Sequence, residues 1–205
     1  MTRPATRTRR SESQAQTRRR LVETARELFL TDGYAATSLE RVAEEAGFSK
    51  GAVYSNFSGK DELCLEVLEV IHSEVARAVV GAFEGATSLE DALRALDVWA
   101  DARLGDPDWS ALEAEFAARS RRQPELRAAL EERNKAIRDL IARVLGDTCA
   151  RHGLVMPIPV DEAAHALLSL GIGLGLQRAI DPALSVQVLS DVVRVVVGAP
   201  VPAPR

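Results

Sequence analysis

Apolar residues recur at three- and four-residue intervals along nearly the whole chain, with glycine or proline marking the joints, so the pattern predicts an all-α protein. Leu21, Val22, Ala25, Leu28 and Phe29 form one stripe of a helix predicted over 14–31, closed by Asp32, Gly33 and Tyr34. Leu39, Val42, Ala43 and Ala46 form a shorter stripe. Thr37 and Glu40 stand at capping-box spacing ahead of it, and Gly47 suits its end. Ser49 can cap the next helix, in which Val53 and Phe57 share one face. A longer helix over 61–83 carries Leu63, Val67, Val70, Ile71 and Val75. Further helices are predicted over 87–104, 109–121, 124–151, 161–180 and 184–197, with 153–160 as a loop.

The two short helices carry the most specific chemistry. A small residue at Ala43, glycine at Gly47 and an aliphatic at Val53 allow the close crossing and sharp turn of a helix-turn-helix, whose second helix lies in the DNA major groove. Lys50, Gly51, Ala52, Tyr54, Ser55 and Asn56 then face outward. Lys50 can reach a base edge or a phosphate, Gly51 lets the backbone approach closely, and Ala52 can touch a thymine methyl. Composition adds little, since 46% hydrophobic and 27% charged residues in a chain of 205 are ordinary for a globular protein. Charge adds more. The net value is −4, yet residues 1–60 hold 11 Lys and Arg against 7 Asp and Glu, so the basic end is the nucleic-acid end. Arg3, Arg7, Arg9, Arg10, Arg18, Arg19 and Arg20 face one acid, Glu12, within the first twenty residues, and 1–13 is expected to be a disordered basic arm.

Thr37-Ser38, Val42-Ala43, Ala46-Gly47, Ser49-Lys50-Gly51, Val53-Tyr54, Phe57 and 60–63 (Lys-Asp-Glu-Leu) together resemble the signature of the TetR family of repressors, over about residues 15–65. Asn56 stands where many members carry His, and it can still donate to a phosphate or bind an adenine edge. The resemblance implies a DNA-binding domain over 14–60, a helical ligand-binding and dimerisation domain over 61–198 and a flexible tail over 199–205. It implies a homodimer on a palindromic double-stranded DNA operator. Tyr54 and Lys60 would meet phosphates, with Thr37, Ser38 and Ser49 against the same backbone. It further implies a ligand pocket among the middle helices, for which Phe83, Trp99, Trp109, Phe116 and His165 are the candidate lining residues and Arg103 or Glu113 the polar handles; an aromatic, mostly apolar pocket suits a small, hydrophobic effector.

The last two helices are unusually apolar: Ala166, Leu167, Leu170, Leu174 and Leu176 on one, and Val188, Leu189, Val192, Val193 and Val196 on the other. The first of them also holds Gly171, Gly173 and Gly175, each costing about 0.5–1 kcal/mol in a helix relative to alanine, for which close helix approach is a reason. By resemblance these helices are halves of a four-helix dimer interface. No cofactor, metal or catalytic role is expected: His72, His152 and His165 lack metal-ligand spacing, and no nucleophile motif or phosphate-binding glycine loop occurs. Cys64 and Cys149 read as small core residues. No secretory signal and no run of about 18 uninterrupted apolar residues is found, so a cytoplasmic protein with no membrane partner is expected. The competing reading is a helical protein-binding adaptor that no longer reads DNA. The outward Lys50, Tyr54 and Lys60 argue against it.

Overall fold

The computed structural model describes residues 5–200, with side chains from residue 12 onward. The helices in chain order are α1 (Ala5–Asp32), α2 (Leu39–Glu45), α3 (Lys50–Tyr54), α4 (Lys60–Glu84), α5 (Leu89–Arg103), α6 (Pro107–Ser120), α7 (Pro124–His152), α8 (Val160–Ile180) and α9 (Gln187–Val196), and no strand occurs among the described residues. Helix α1 begins nine residues ahead of the expected start, so 5–13 is helical where a disordered arm is expected. Residues 1–4 of that arm and 201–205 of the expected tail lie outside the described residues.

Two compact units result. The first holds the chain up to His72 together with Ala111–Phe116, and the second holds Ser73–Ser110 and the chain from Ala117. In the first, α1, α2 and α3 pack pairwise. Leu21, Ala25 and Phe29 of α1, Val42 and Ala43 of α2, Val53 and Phe57, and Leu63 and Val67 of α4 are all buried. Helices of seven and five residues are well short of the roughly 12–15 that hold alone in water. They persist because anchors such as Val53 and Phe57, at 0% and 1% exposure, each contribute about 1.5–3 kcal/mol on burial.

In the second unit, α8 packs against α7 and α9, and α5 against α9. Phe83, Leu93, Leu96, Leu145, Leu167, Leu174, Leu189, Val193 and Val196 form one core. Caps set the helix starts: Ser88 accepts from the Asp91 N–H at 3.2 Å, and Asp106 accepts from the N–H groups of Asp108 and Trp109 ahead of Pro107. Pro124 likewise opens α7. Helix α8 is long and apolar enough to span a membrane by length and composition alone. Its Ala163, Ala164, Leu167, Leu174 and Gly175 are nevertheless buried in the core of this unit. Cys64 and Cys149 are both buried, the latter with its thiol pushed above the usual range by burial.

Arg178 of α8 locks the end of α5. Its guanidinium, 9% exposed, donates to the carbonyls of Leu104 at 2.9 Å and Leu184 at 2.5 Å and reaches Asp101 at 3.4 Å. The last carbonyls of a helix lack intrahelical partners and carry partial negative charge, so a buried guanidinium satisfies both needs at once. The lock works only because the chain turns tightly at Gly105, at φ +90°, where an added Cβ would stand 2.3 Å from Arg178 Cβ. Gly175 lies near the same turn, an added Cβ meeting Leu104 Cδ1 at 3.5 Å, whereas Gly171 has nothing within 4 Å. Close approach within the protomer therefore accounts for Gly175 and not for Gly171. Gly105→Ala combines a forbidden backbone region with an overlap and is expected to destabilise the protein by about 2–4 kcal/mol, measured as a lower midpoint in urea followed by circular dichroism.

Candidate nucleic-acid interface

The turn between α2 and α3 is built by backbone geometry that glycine permits. Gly47, at φ +75°, donates its N–H to Glu44 O at 3.0 Å, and Phe48 donates to Ala43 O at 2.8 Å. This paired closure ends α2, and residues 46–49 separate it from α3. There Ser49 Oγ accepts from Ala52 N–H at 3.3 Å and caps α3. Turning Val53 and Phe57 inward leaves Ser49, Lys50, Gly51, Tyr54 and Ser55 exposed, with Ala52 and Asn56 half-buried. Tyr54 is 49% exposed, so it is not a core residue. Ser38 is exposed as well and caps α2, its Oγ accepting from Arg41 N–H at 3.1 Å.

Two expected interface residues are placed otherwise. Ser38 takes the capping role expected of Thr37, one position earlier. The Thr37 side chain is 1% exposed, and its hydroxyl donates to Gly33 O at 3.0 Å and Leu28 O at 3.2 Å. A buried hydroxyl with internal acceptors cannot face a phosphate. The Lys60 ammonium is equally committed. It donates to Tyr34 O at 2.6 Å, Thr37 O at 2.7 Å and Ala35 O at 3.3 Å, and lies 4.2 Å from the centre of the Tyr34 ring. Three carbonyls of the α1–α2 loop thus share one cation, which also lies over the ring's negative face. Lys60 holds the loop in place of reaching outward.

Electrostatics on the exposed row are more restrained than a basic patch. Lys50 forms an ion pair with Glu40 across the two short helices, both side chains being more than half exposed. The hydrogen bond from Lys50 holds the Glu40 carboxyl below the usual range, and the same bond raises Lys50. Arg41 pairs with Asp32 at 2.7 Å. Asn56 donates its amide back to Ala52 O at 2.8 Å, so its donor is turned into the helix end, and its Oδ1 is buried without a partner.

The sequence reading misses two side chains that position this face. Arg18, counted there only among the basic residues of the first twenty, is a staple: it donates to both carboxylate oxygens of Glu66 and to Asn56 O, and its guanidinium stacks 4.2 Å from the Phe57 ring centre. Glu115 of α6 accepts from the backbone N–H groups of Tyr34 at 3.0 Å and Ala35 at 2.9 Å. Phe116 beside it is fully buried with its ring edge-on to Tyr34. Glu62 accepts from the N–H and hydroxyl of Ser58, both at 2.7 Å, and the backbone bond leads in lowering its carboxyl below the usual range. A basic residue met by acids four apart on α4, Glu62 and Glu66, is the signal that could have found Arg18.

The expected pocket residues are dispersed. Phe83 and Trp99 share the core of the second unit, where Trp109 is half-buried and Arg103 and His165 are exposed. Glu113 and Phe116 belong to the first unit, Glu113 paired with His72.

Lys60→Met tests the loop assignment directly. Losing charge-assisted bonds, worth about 1.5–3 kcal/mol, lowers the thermal midpoint, while the salt slope of any DNA binding stays within about 0.3 of the parent. A slope reduced by about 0.9 with unchanged stability would instead return Lys60 to a phosphate.

Comparison with known proteins agrees with this geometry. Residues 21–67 match the family model for bacterial regulatory proteins of the tetR family, and residues 86–199 match that for the C-terminal part of BetI-type transcriptional repressors. The transcriptional activator FasR of Mycolicibacterium smegmatis is 30% identical over 157 residues, 73% of this chain and 72% of that protein. The transcriptional regulator TtgR of Pseudomonas putida is 40% identical over 74 residues, 34% of this chain and 35% of that protein. The chain thus spans about a third of the length of TtgR, and still less, 17%, of YerO of Bacillus subtilis. Among solved structures, reduced NemR of E. coli has the same fold, with a TM-score of 0.68 at 22% identity over 88% of this chain and 95% of that one. A helix-turn-helix closed at Gly47, capped by Ser38 and Ser49 and anchored through Val53 and Phe57 is thus joined to matches over both parts of the chain, and the protein belongs to the TetR family of transcriptional regulators, which are DNA-binding proteins and not enzymes.

Proposed function

We propose that this chain is a one-component repressor that binds a palindromic operator as a homodimer in the cytoplasm and is released by a small, hydrophobic ligand. The observation that carries the DNA reading is the exposed row Ser49, Lys50, Tyr54 and Ser55 on α3, held outward by the burial of Val53 and Phe57. Ser38 at the start of α2 joins the row, as do Gly51, Ala52 and Asn56 on its margin. Lys50 addresses a base edge or a phosphate, and Tyr54 offers its hydroxyl to a phosphate.

Dimerisation is supported by apolar surface that the protomer leaves uncovered. Ile172, Leu176 and Ile180 stand four apart on α8, and Val188 and Val195 stand seven apart on α9, all between 41% and 82% exposed. Several residues expected in the interface, Leu167, Leu174, Leu189, Val193 and Val196, belong instead to the unit's own core. A symmetric dimer through the exposed stripes would bring together two heads, and reading successive half-sites requires them about 34–36 Å apart. A ligand favouring another spacing then releases the DNA. Phe83, Trp99 and Trp109 remain the aromatic candidates for its pocket, with Arg103 and His165 at its margin. Glu113 and Phe116 are occupied in the first unit. The repressor assignment follows the BetI-type match over the C-terminal part.

Fluorescence anisotropy with duplexes from the gene's own upstream region, over a salt series, tests the DNA reading. Tyr54→Ala is expected to weaken binding by about tenfold on every sequence, and Lys50→Ala to alter preference as well as affinity. Binding that neither substitution alters, or that shows no salt dependence, would favour the protein-binding adaptor. For the dimer, Ile172→Glu with Val195→Glu is expected to yield folded monomers by sedimentation, with operator affinity reduced at least about a hundredfold as two linked half-sites become independent. An unchanged dimer would place the interface elsewhere.

A further inference from the structure

Lys50 is the single Lys or Arg between positions 42 and 59, so attraction of α3 for phosphate passes through one ammonium. That ammonium is already engaged. Glu40, in the first turn of α2, pairs with it, and the Tyr54 ring centre lies 5.8 Å away. The neighbouring cations offer no replacement on this row: Arg41 is paired with Asp32, Lys60 with loop carbonyls and Arg18 with Glu66. Glu40 is therefore an acid set among residues proposed to face DNA, where its charge repels the polyanion. Ser38, whose hydroxyl caps α2 by accepting from Arg41 N–H, and the buried Leu39 hold α2, so the fold does not require a carboxylate at this exposed position.

We propose that Glu40 is a positioning residue for specificity: by holding Lys50, it penalises contact with phosphate alone and leaves the ammonium to be drawn off, or shared, where a guanine edge is presented. This rests on the DNA-binding reading above. On a non-cognate duplex, where phosphate contacts supply essentially all of the binding, Lys50 meets phosphate oxygens, which must compete with Glu40 while lying near its charge. A cognate site offers guanine O6 and N7 as well, and an ammonium with three donors can serve these while keeping Glu40. The carboxylate thus costs more affinity on the wrong sequence than on the right one, which is discrimination by a repulsive element. The acid lowers overall affinity and raises the ratio.

The test uses the full-length protein, the duplex that it enriches from a randomised library, and a scrambled duplex of equal composition, with Glu40→Gln, Lys50→Met and the double variant. Glu40→Gln is expected to bind the scrambled duplex about three- to tenfold tighter at low salt, with a slope steeper by about 0.9, and the enriched duplex within about twofold of the parent. In the Lys50→Met background, adding Glu40→Gln should leave the ratio of the two affinities unchanged. Equal tightening on both duplexes, or none, would overturn the proposal while leaving the DNA reading intact. A parent protein that enriches no duplex and binds without salt dependence would overturn both. Thermal midpoints of all variants, expected to match the parent, exclude a merely structural effect of this exposed pair.

Discussion

The ammonium of Lys60 is the contact on which the head's outward face depends. A single cation takes three carbonyls of the loop between α1 and α2, those of Tyr34 and Thr37 part-buried. With that loop fixed, Thr37 is buried against the end of α1, and Ser38 comes into register to cap α2. Fixing α2 in turn sets the Gly47 turn and the start of α3. Arg18 closes the arrangement from the other end by bonding Asn56 O and Glu66. Five residues of helix are thereby presented for recognition without being able to hold themselves together.

The second unit uses the same physics at a different place. Arg178 gathers the carbonyls that end α5, much as Lys60 gathers those of a loop, and Gly105 supplies the space. Arg194 forms a bidentate pair with Glu90, joining α9 to the start of α5. Buried guanidinium groups of this kind stabilise only while their acceptors are in place, because an uncompensated buried charge is costly. They specify one arrangement of helices on which the uncovered stripes of α8 and α9 are displayed.

What was legible in the sequence follows the distance between partners. Gly47, Ser49, Val53 and Phe57 were readable because capping, turn closure and helical periodicity act within a few residues. The boundaries of α4, α7 and α8 were readable to within a residue or so for the same reason. Lys60, Arg18, Glu115 and Arg178 were not, since their partners lie 26, 48, 80 and 74 positions away. A motif position said that Lys60 was basic, not which acceptors would claim it. The expected pocket residues were chosen by aromatic character, which a core and a ligand site share. Phe116, buried beside Tyr34, shows why that criterion could not separate them.

In the function proposed, this row of α3 reads DNA in a symmetric pair. Hydroxyl-radical footprinting of the protein on its library-enriched duplex measures this most directly. Two equivalent protected half-sites related by a dyad are expected, their centres about 10–10.5 base pairs, or a whole multiple of that, apart. A single unpaired footprint, or uniform reactivity along the duplex at saturating protein, would contradict it.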